Sequence, residues 1–146
     1  MLVSTPPAAW TVDPYAHSMQ WSRRFIGLKL FMTLAELGAD GVRAHVERQA
    51  AVGAVLRARL TEAGWLVVND SPFPVVCFTH PRVRAGEASA RELVARVVAG
   101  GRAWISELAL RGETVLRACV TSYRTSEEDL DVLLSELAGA LDGPGR

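Results

Sequence analysis

The chain has 146 residues, 16 basic and 16 acidic side chains, a formal net charge of zero and a hydrophobic fraction of 49%. That length and apolar content suit one globular domain able to fold without metal or disulfide staples, and they exclude an intrinsically disordered chain. Zero net charge gives no electrostatic reason to expect a nucleic acid or an anionic membrane as partner.

The first seven residues carry neither a basic n-region nor a long apolar run, so no secretory leader is expected. Residues 1–20 hold Pro6, Pro7 and Pro14 without helical or strand period, and read as an irregular lead-in. Residues 22–37 predict a helix with Phe25, Ile26, Leu28, Leu30, Phe31, Met32, Leu34 and Leu37 distributed around it. A helix apolar on every side is normally covered on most sides, which points to a second domain or subunit. The same stretch is too short to cross a bilayer and carries Lys29 and Glu36.

Gly38 suits a helix C′ position and Asp40 can cap the next helix. That second helix is expected over about 41–63, with Val42, Val46, Gln49, Gly53, Leu56 and Leu60 on one side and an Arg43–Glu47 pair on the other. After Gly64 the period changes: Trp65–Val68 and Val75–Phe78 are short β-type runs around turn material at 69–74. Residues 89–99 predict a helix opened by a Ser89/Glu92 capping box and closed by Gly100-Gly101, with Leu93, Val94, Val97 and Val98 inward. A hairpin is expected between Ala103–Leu110 and Thr114–Thr121 around Arg111-Gly112-Glu113. The last helix should open on a Thr125/Glu128 capping box, carry the stripe Leu130, Leu133, Leu134, Leu137 and Leu141, and end at Gly143-Pro144-Gly145. The order predicts an α+β fold, a mainly antiparallel sheet with helices on one face, preceded by a long two-part helix.

Chemistry-bearing residues are few. In the last strand Leu116, Ala118 and Val120 share one face, and Val115, Arg117 and Cys119 the other, so Arg117 meets either water or an anion. Arg23-Arg24 opens the first helix, where the helix dipole disfavours cations, so an outside anion or solvent must account for the pair. His17, His45 and His80 have no metal-ligand spacing, and no nucleophile–base pattern or phosphate loop is present. Cys77 and Cys119 lie in apolar runs, which predicts buried thiols in a reducing, cytoplasmic compartment. Lys29 is the sole lysine, so any chemistry that needs a lysine amine must use it or be absent.

The order of motifs resembles the group II pyridoxal-phosphate-dependent decarboxylases, the family of aromatic-L-amino-acid and tyrosine decarboxylases. His17-Ser18-Met19-Gln20-Trp21-Ser22-Arg23-Arg24 through Lys29 to Phe31 is similar to the family's S-x-Q-x-S-R-R-x-x-A-L-K-x-W segment. Gly38–Gly41, Pro74–Phe78, Ala103–Ser106, Val115–Val120 and Thr125–Asp129 come next in family order, so the resemblance covers about residues 10–141. Departures are Phe31 for the usual Trp, Ser22 for Gly, and Tyr123 near the usual Asn.

The resemblance implies the small C-terminal domain of a fold-type I enzyme that uses pyridoxal 5′-phosphate, with the lysine that binds the cofactor on a large domain upstream. Lys29 matches a structural lysine of the family, not that one. Residues 1–21 would be a connector from the large domain, 22–63 a two-part helix at the domain and dimer junction, and 64–146 the small domain. Arg117 would bind the substrate carboxylate, with Arg23 in support. The implied function is a lyase, an amino-acid decarboxylase that releases CO2 and acts as a homodimer, with this segment inactive alone. A non-catalytic association or small-acid-binding module of the same origin is the alternative.

Overall fold

The computed structural model describes residues 25–143. The expected connector, Arg23-Arg24, His17 and the last three residues lie outside the described residues. The chain divides into two compact units, Met1–Ala39 and Asp40–Arg146.

Helix α1 runs Ile26–Glu62 and is interrupted at Gly38, whose φ of 64° and ψ of −179° no helix accommodates. This is the positive φ that a glycine C′ tolerates and side chains resist, so the expected break is real. Before the break, all eight large apolar residues from Phe25 to Leu37 are exposed, Phe25 at 74% and Phe31 at 67%. After it, Val52, Leu56 and Leu60 recur at four-residue spacing and are buried. Arg43 pairs with Asp40 at 3.0 Å instead of the expected Glu47.

α1 ends where Trp65 N–H reaches back to the Leu60 carbonyl at 2.9 Å and Gly64 N–H to Thr61 at 3.0 Å. That C-terminal bonding turns Trp65 inward, edge-on to Phe78 at 5.4 Å between ring centroids. Strands β1 (Leu66–Val67), β2 (Val75–Thr79), β3 (Ser106–Leu110) and β4 (Glu113–Cys119) form one sheet of order β1-β2-β4-β3. Every pairing in it is antiparallel. The hairpin closes on two residues, with Arg111 at φ 51° and Gly112 at φ 84°, and Glu113 joins β4 instead of the turn. Positive φ at both central positions is the turn whose twist matches paired strands.

A one-turn helix, α2 (Pro81–Arg84), comes after β2; sequence periodicity gave no sign of it. α3 (Ala90–Ala99) begins at Ser89, whose hydroxyl accepts from Glu92 N–H as expected. Leu93 and Val97 are buried, Val94 packs partly, and Val98 is exposed. α4 (Glu127–Asp142) starts one residue later than expected: Ser126 N–H donates to Asp129 Oδ2 at 2.8 Å, so the box is Ser126/Asp129. Leu130, Leu133 and Leu137 of its stripe are buried. One core cluster joins Val52, Leu56 and Leu60 of α1 to Val76 and Phe78 of β2, Leu116 and Ala118 of β4, and the inner faces of α3 and α4.

Two consequences are measurable. A Cβ on Gly53 would lie 2.9 Å from Pro74 Cα, a backbone atom that cannot swing aside. Gly53→Ala should lower stability by about 1–3 kcal/mol in urea unfolding, despite alanine's better helix propensity.

His80 caps α2 by accepting from Arg82 N–H through Nδ1 at 3.2 Å, and packs on Trp65 at 4.9 Å between centroids. Burial first, and the Arg82 charge second, hold its imidazole below the ordinary 6.5. The unfolded chain therefore takes up the proton more readily than the folded one. The stability contribution is full above 6.5 and is lost as pH falls through the lowered folded value. His80→Asn keeps a capping acceptor without the titration, so it should flatten the drop in melting temperature between pH about 7 and about 5.

Candidate functional site

Alternation along β4 sends Leu116 and Ala118 into the core and Val115, Arg117 and Cys119 to the opposite face, as the sequence predicts. Register sets the neighbours of Arg117 on that face: Cys77 of β2 on one side and Ser106 of β3 on the other. Arg117 is partly buried, Cys77 is buried and Cys119 is exposed. The expectation of two buried thiols thus holds for Cys77 and fails for Cys119, which stands exposed at the end of its strand.

The guanidinium makes one hydrogen bond among the described residues, from Nε to Ser106 Oγ at 3.1 Å. Its terminal nitrogens have no protein acceptor there, and no carboxylate among the described residues pairs with it. This sets Arg117 apart from the other partly buried arginines. Arg57 binds the carbonyls of Asn69, Ser71 and Val75 at 2.7, 3.2 and 2.8 Å. Arg59 binds Asp131 at 2.6 Å and also Glu127. Arg82 binds the Leu141 carbonyl at 3.0 Å, and Arg96 binds that of Ala140 at 2.7 Å. A partly buried cation without a counter-charge leaves its terminal nitrogens to water or to an anion from outside.

The two cross-strand neighbours of Arg117, Cys77 and Ser106, are neutral. Burial pushes the Cys77 thiol up from its ordinary 9.0, outweighing the pull of Arg117 and then Arg57 in the other direction. Cys77 therefore stays a thiol at neutral pH and offers Arg117 no anion. The strand beneath is held in place: Asn69 Oδ1 accepts from Cys77 N–H at 2.7 Å while Asn69 Nδ2 donates to the Val75 carbonyl at 3.0 Å. Arg57 ties the same loop to α1. Among the described residues this face carries one cation and no paired acid and base.

Arg23 lies outside the described residues. Lys29 is exposed on α1 ahead of Gly38, and belongs to the other compact unit from Arg117. Ser106 and Cys77 were not singled out as neighbours of Arg117 from the sequence; the length of the hairpin turn is the signal that would have found Ser106. Among the described residues no helix is long and apolar enough to cross a membrane, and no cluster of ligating side chains could hold a metal ion.

No family model matches the chain. Among curated proteins it is similar to tryptophan decarboxylase 1 of Oryza sativa subsp. japonica, 31% identical over 117 residues, covering 72% of this chain and 22% of the relative. It is similar also to tyrosine decarboxylase 2 of Arabidopsis thaliana, 32% identical over 112 residues, covering 73% of this chain and 21% of the relative. The chain thus spans less than a quarter of these relatives' length. Among solved structures, Oryza sativa TDC with PLP and tryptamine superposes with a TM-score of 0.71 at 26% identity, covering 88% of this chain and 29% of that one. In sequence and in fold the chain is similar to the group II pyridoxal-phosphate-dependent amino-acid decarboxylases of the aromatic and tyrosine type, and it matches their C-terminal portion.

Proposed function

We propose that this chain is the C-terminal part of a pyridoxal-phosphate-dependent amino-acid decarboxylase, a carboxy-lyase acting on an L-amino acid with aromatic side chains favoured. The observation that carries this reading is the half-buried Arg117 guanidinium, whose terminal nitrogens are left without an acceptor among the described residues. A carboxylate is the planar anion that such a fork binds through two parallel hydrogen bonds. In this reading Arg117 receives the substrate carboxylate and Arg23 supports it near the domain junction. The apolar stretch Phe25–Leu37 faces a large cofactor-binding domain and a dimer partner. The complete enzyme works in the cytoplasm as a homodimer.

The described residues do not fit the cofactor itself. Pyridoxal phosphate needs an amine for its aldehyde and a cradle of donors for its phosphate. The one lysine, Lys29, is exposed between Leu28 and Leu30, both exposed as well, and nothing among the described residues encloses its amine. Cofactor and bond-breaking chemistry therefore belong to the large domain in this proposal, and residues 64–146 position the substrate. The alternative, a non-catalytic association or small-acid-binding module, draws on the same exposed helix and the same guanidinium. Decarboxylation separates the two.

The purified chain, supplied with pyridoxal phosphate and L-tyrosine or L-tryptophan, should release no CO2; release by the chain alone would overturn the assignment of the chemistry to a missing domain. Release by the chain joined to a large domain of this family supports the enzyme reading, and a joined pair that stays inactive while each part folds favours the module. The arginine is tested separately by thermal shift. At ten times its Kd, a carboxylate ligand should stabilise the chain by about 1.4 kcal/mol. Arg117→Ala should abolish that shift, and an equal response in the variant would remove Arg117 from the site.

A further inference from the structure

The hairpin places Ser106 directly opposite Arg117, and the serine hydroxyl takes the Nε–H of the guanidinium at 3.1 Å. We infer that Ser106 is a positioning residue for the carboxylate site: by occupying Nε it fixes the guanidinium plane and leaves the end-on edge, the two terminal nitrogens, as the anion-binding fork. The inference rests on the reading of Arg117 as a carboxylate binder.

A guanidinium can meet a carboxylate side-on, through Nε and one terminal nitrogen, or end-on, through both terminal nitrogens. With Nε bonded to Ser106 the side-on approach is closed. The long arginine side chain otherwise loses rotamer freedom on binding its ligand. Ser106 removes part of that freedom beforehand, since its own position is fixed by the ladder between β3 and β4. The other cross-strand neighbour, Cys77, cannot do this, because its thiol is buried and protonated. Ser106 bears no charge, so it orients the cation without neutralising it, where a carboxylate in the same place would compete with the ligand.

The test uses the 146-residue chain and acetate as probe, at constant ionic strength. NMR follows two signals: protection of the Arg117 Nε–H from solvent exchange, and the shifts of the Ala118 and Cys77 backbone amides during titration. Ser106→Ala should lose the Nε–H protection and bind acetate about fivefold more weakly. Ser106→Thr, which keeps the hydroxyl, should restore both, a rescue that a merely structural role would not produce. Arg117→Ala should abolish binding. If Ser106→Ala keeps the native affinity while Arg117→Ala abolishes it, the positioning role falls and the arginine site stands. If Ser106→Ala fails to fold, Ser106→Thr with unprotected Nε–H or weakened binding overturns the inference. If Arg117→Ala binds like the native chain, or the native chain shows no acetate-dependent shift, the underlying reading fails and takes this inference with it.

Discussion

A sheet of four antiparallel strands with helices on one side must leave its second face to something else, and this molecule is organised around that asymmetry. The covered face is conventional: Val76, Phe78, Leu116 and Ala118 meet Leu56 and Leu60 of α1 and the inner stripes of α3 and α4. Because side chains alternate along a strand, filling that face also determines the other. Arg117, Ser106 and Leu108, all partly exposed, share the other face with Cys77 and Val115, which are themselves buried. The close seat of Gly53 against Pro74 allows α1 to lie against the loop that feeds β2. The position of the candidate site is thus a by-product of how the opposite side is filled.

The arginines show how a chain with one lysine divides its cations. Arg48 clasps the carbonyls of Tyr123 and Thr125, Arg57 those of the loop before β2, and Arg82 and Arg96 the end of α4. The planar fork meets several carbonyls at once, which an ammonium does less well. These bonds fix loops whose backbone has no strand or helix partner. Among the partly buried arginines Arg117 is the exception, and the contrast gives it more weight than its position in a strand alone. The acidic partners of Arg59 sit on α4 and serve the helical layer.

The fold was legible in the sequence wherever one strong periodicity acted. The stripe of α4, the break at Gly38, the Ser89 cap and the two faces of β4 all came from spacing and from residues with a single structural use. What escaped was decided by near-equal neighbours. Ser126 competes with Thr125 for the start of α4 one residue away, and Asp40 competes with Glu47 for Arg43. The single turn of α2 is too short for any period to show, and its cap, His80, is an unusual one. Cys119 sits in an apolar run, yet the strand ends there and leaves it exposed. The arginine clasps join residues far apart in the chain, so no local pattern announces them. Of the candidate site, the cation was readable and its neighbours were not, because they depend on whether the hairpin closes on two residues or three.

That choice reaches well beyond the turn. With Arg111 and Gly112 alone at the tip, Leu110 faces Glu113 and, counting back along the ladder, Ser106 faces Arg117. Draw Glu113 into the tip as a third turn residue and Leu110 would face Thr114, bringing Glu107 to the place of Ser106. The whole edge strand would turn over, since a single step of slippage exchanges the two sides of a strand. The cation would then be quenched from within its own hairpin and would have no demand left for an external acid. A loop outside the sheet, by its length alone, decides whether this surface is hungry for an anion or already fed.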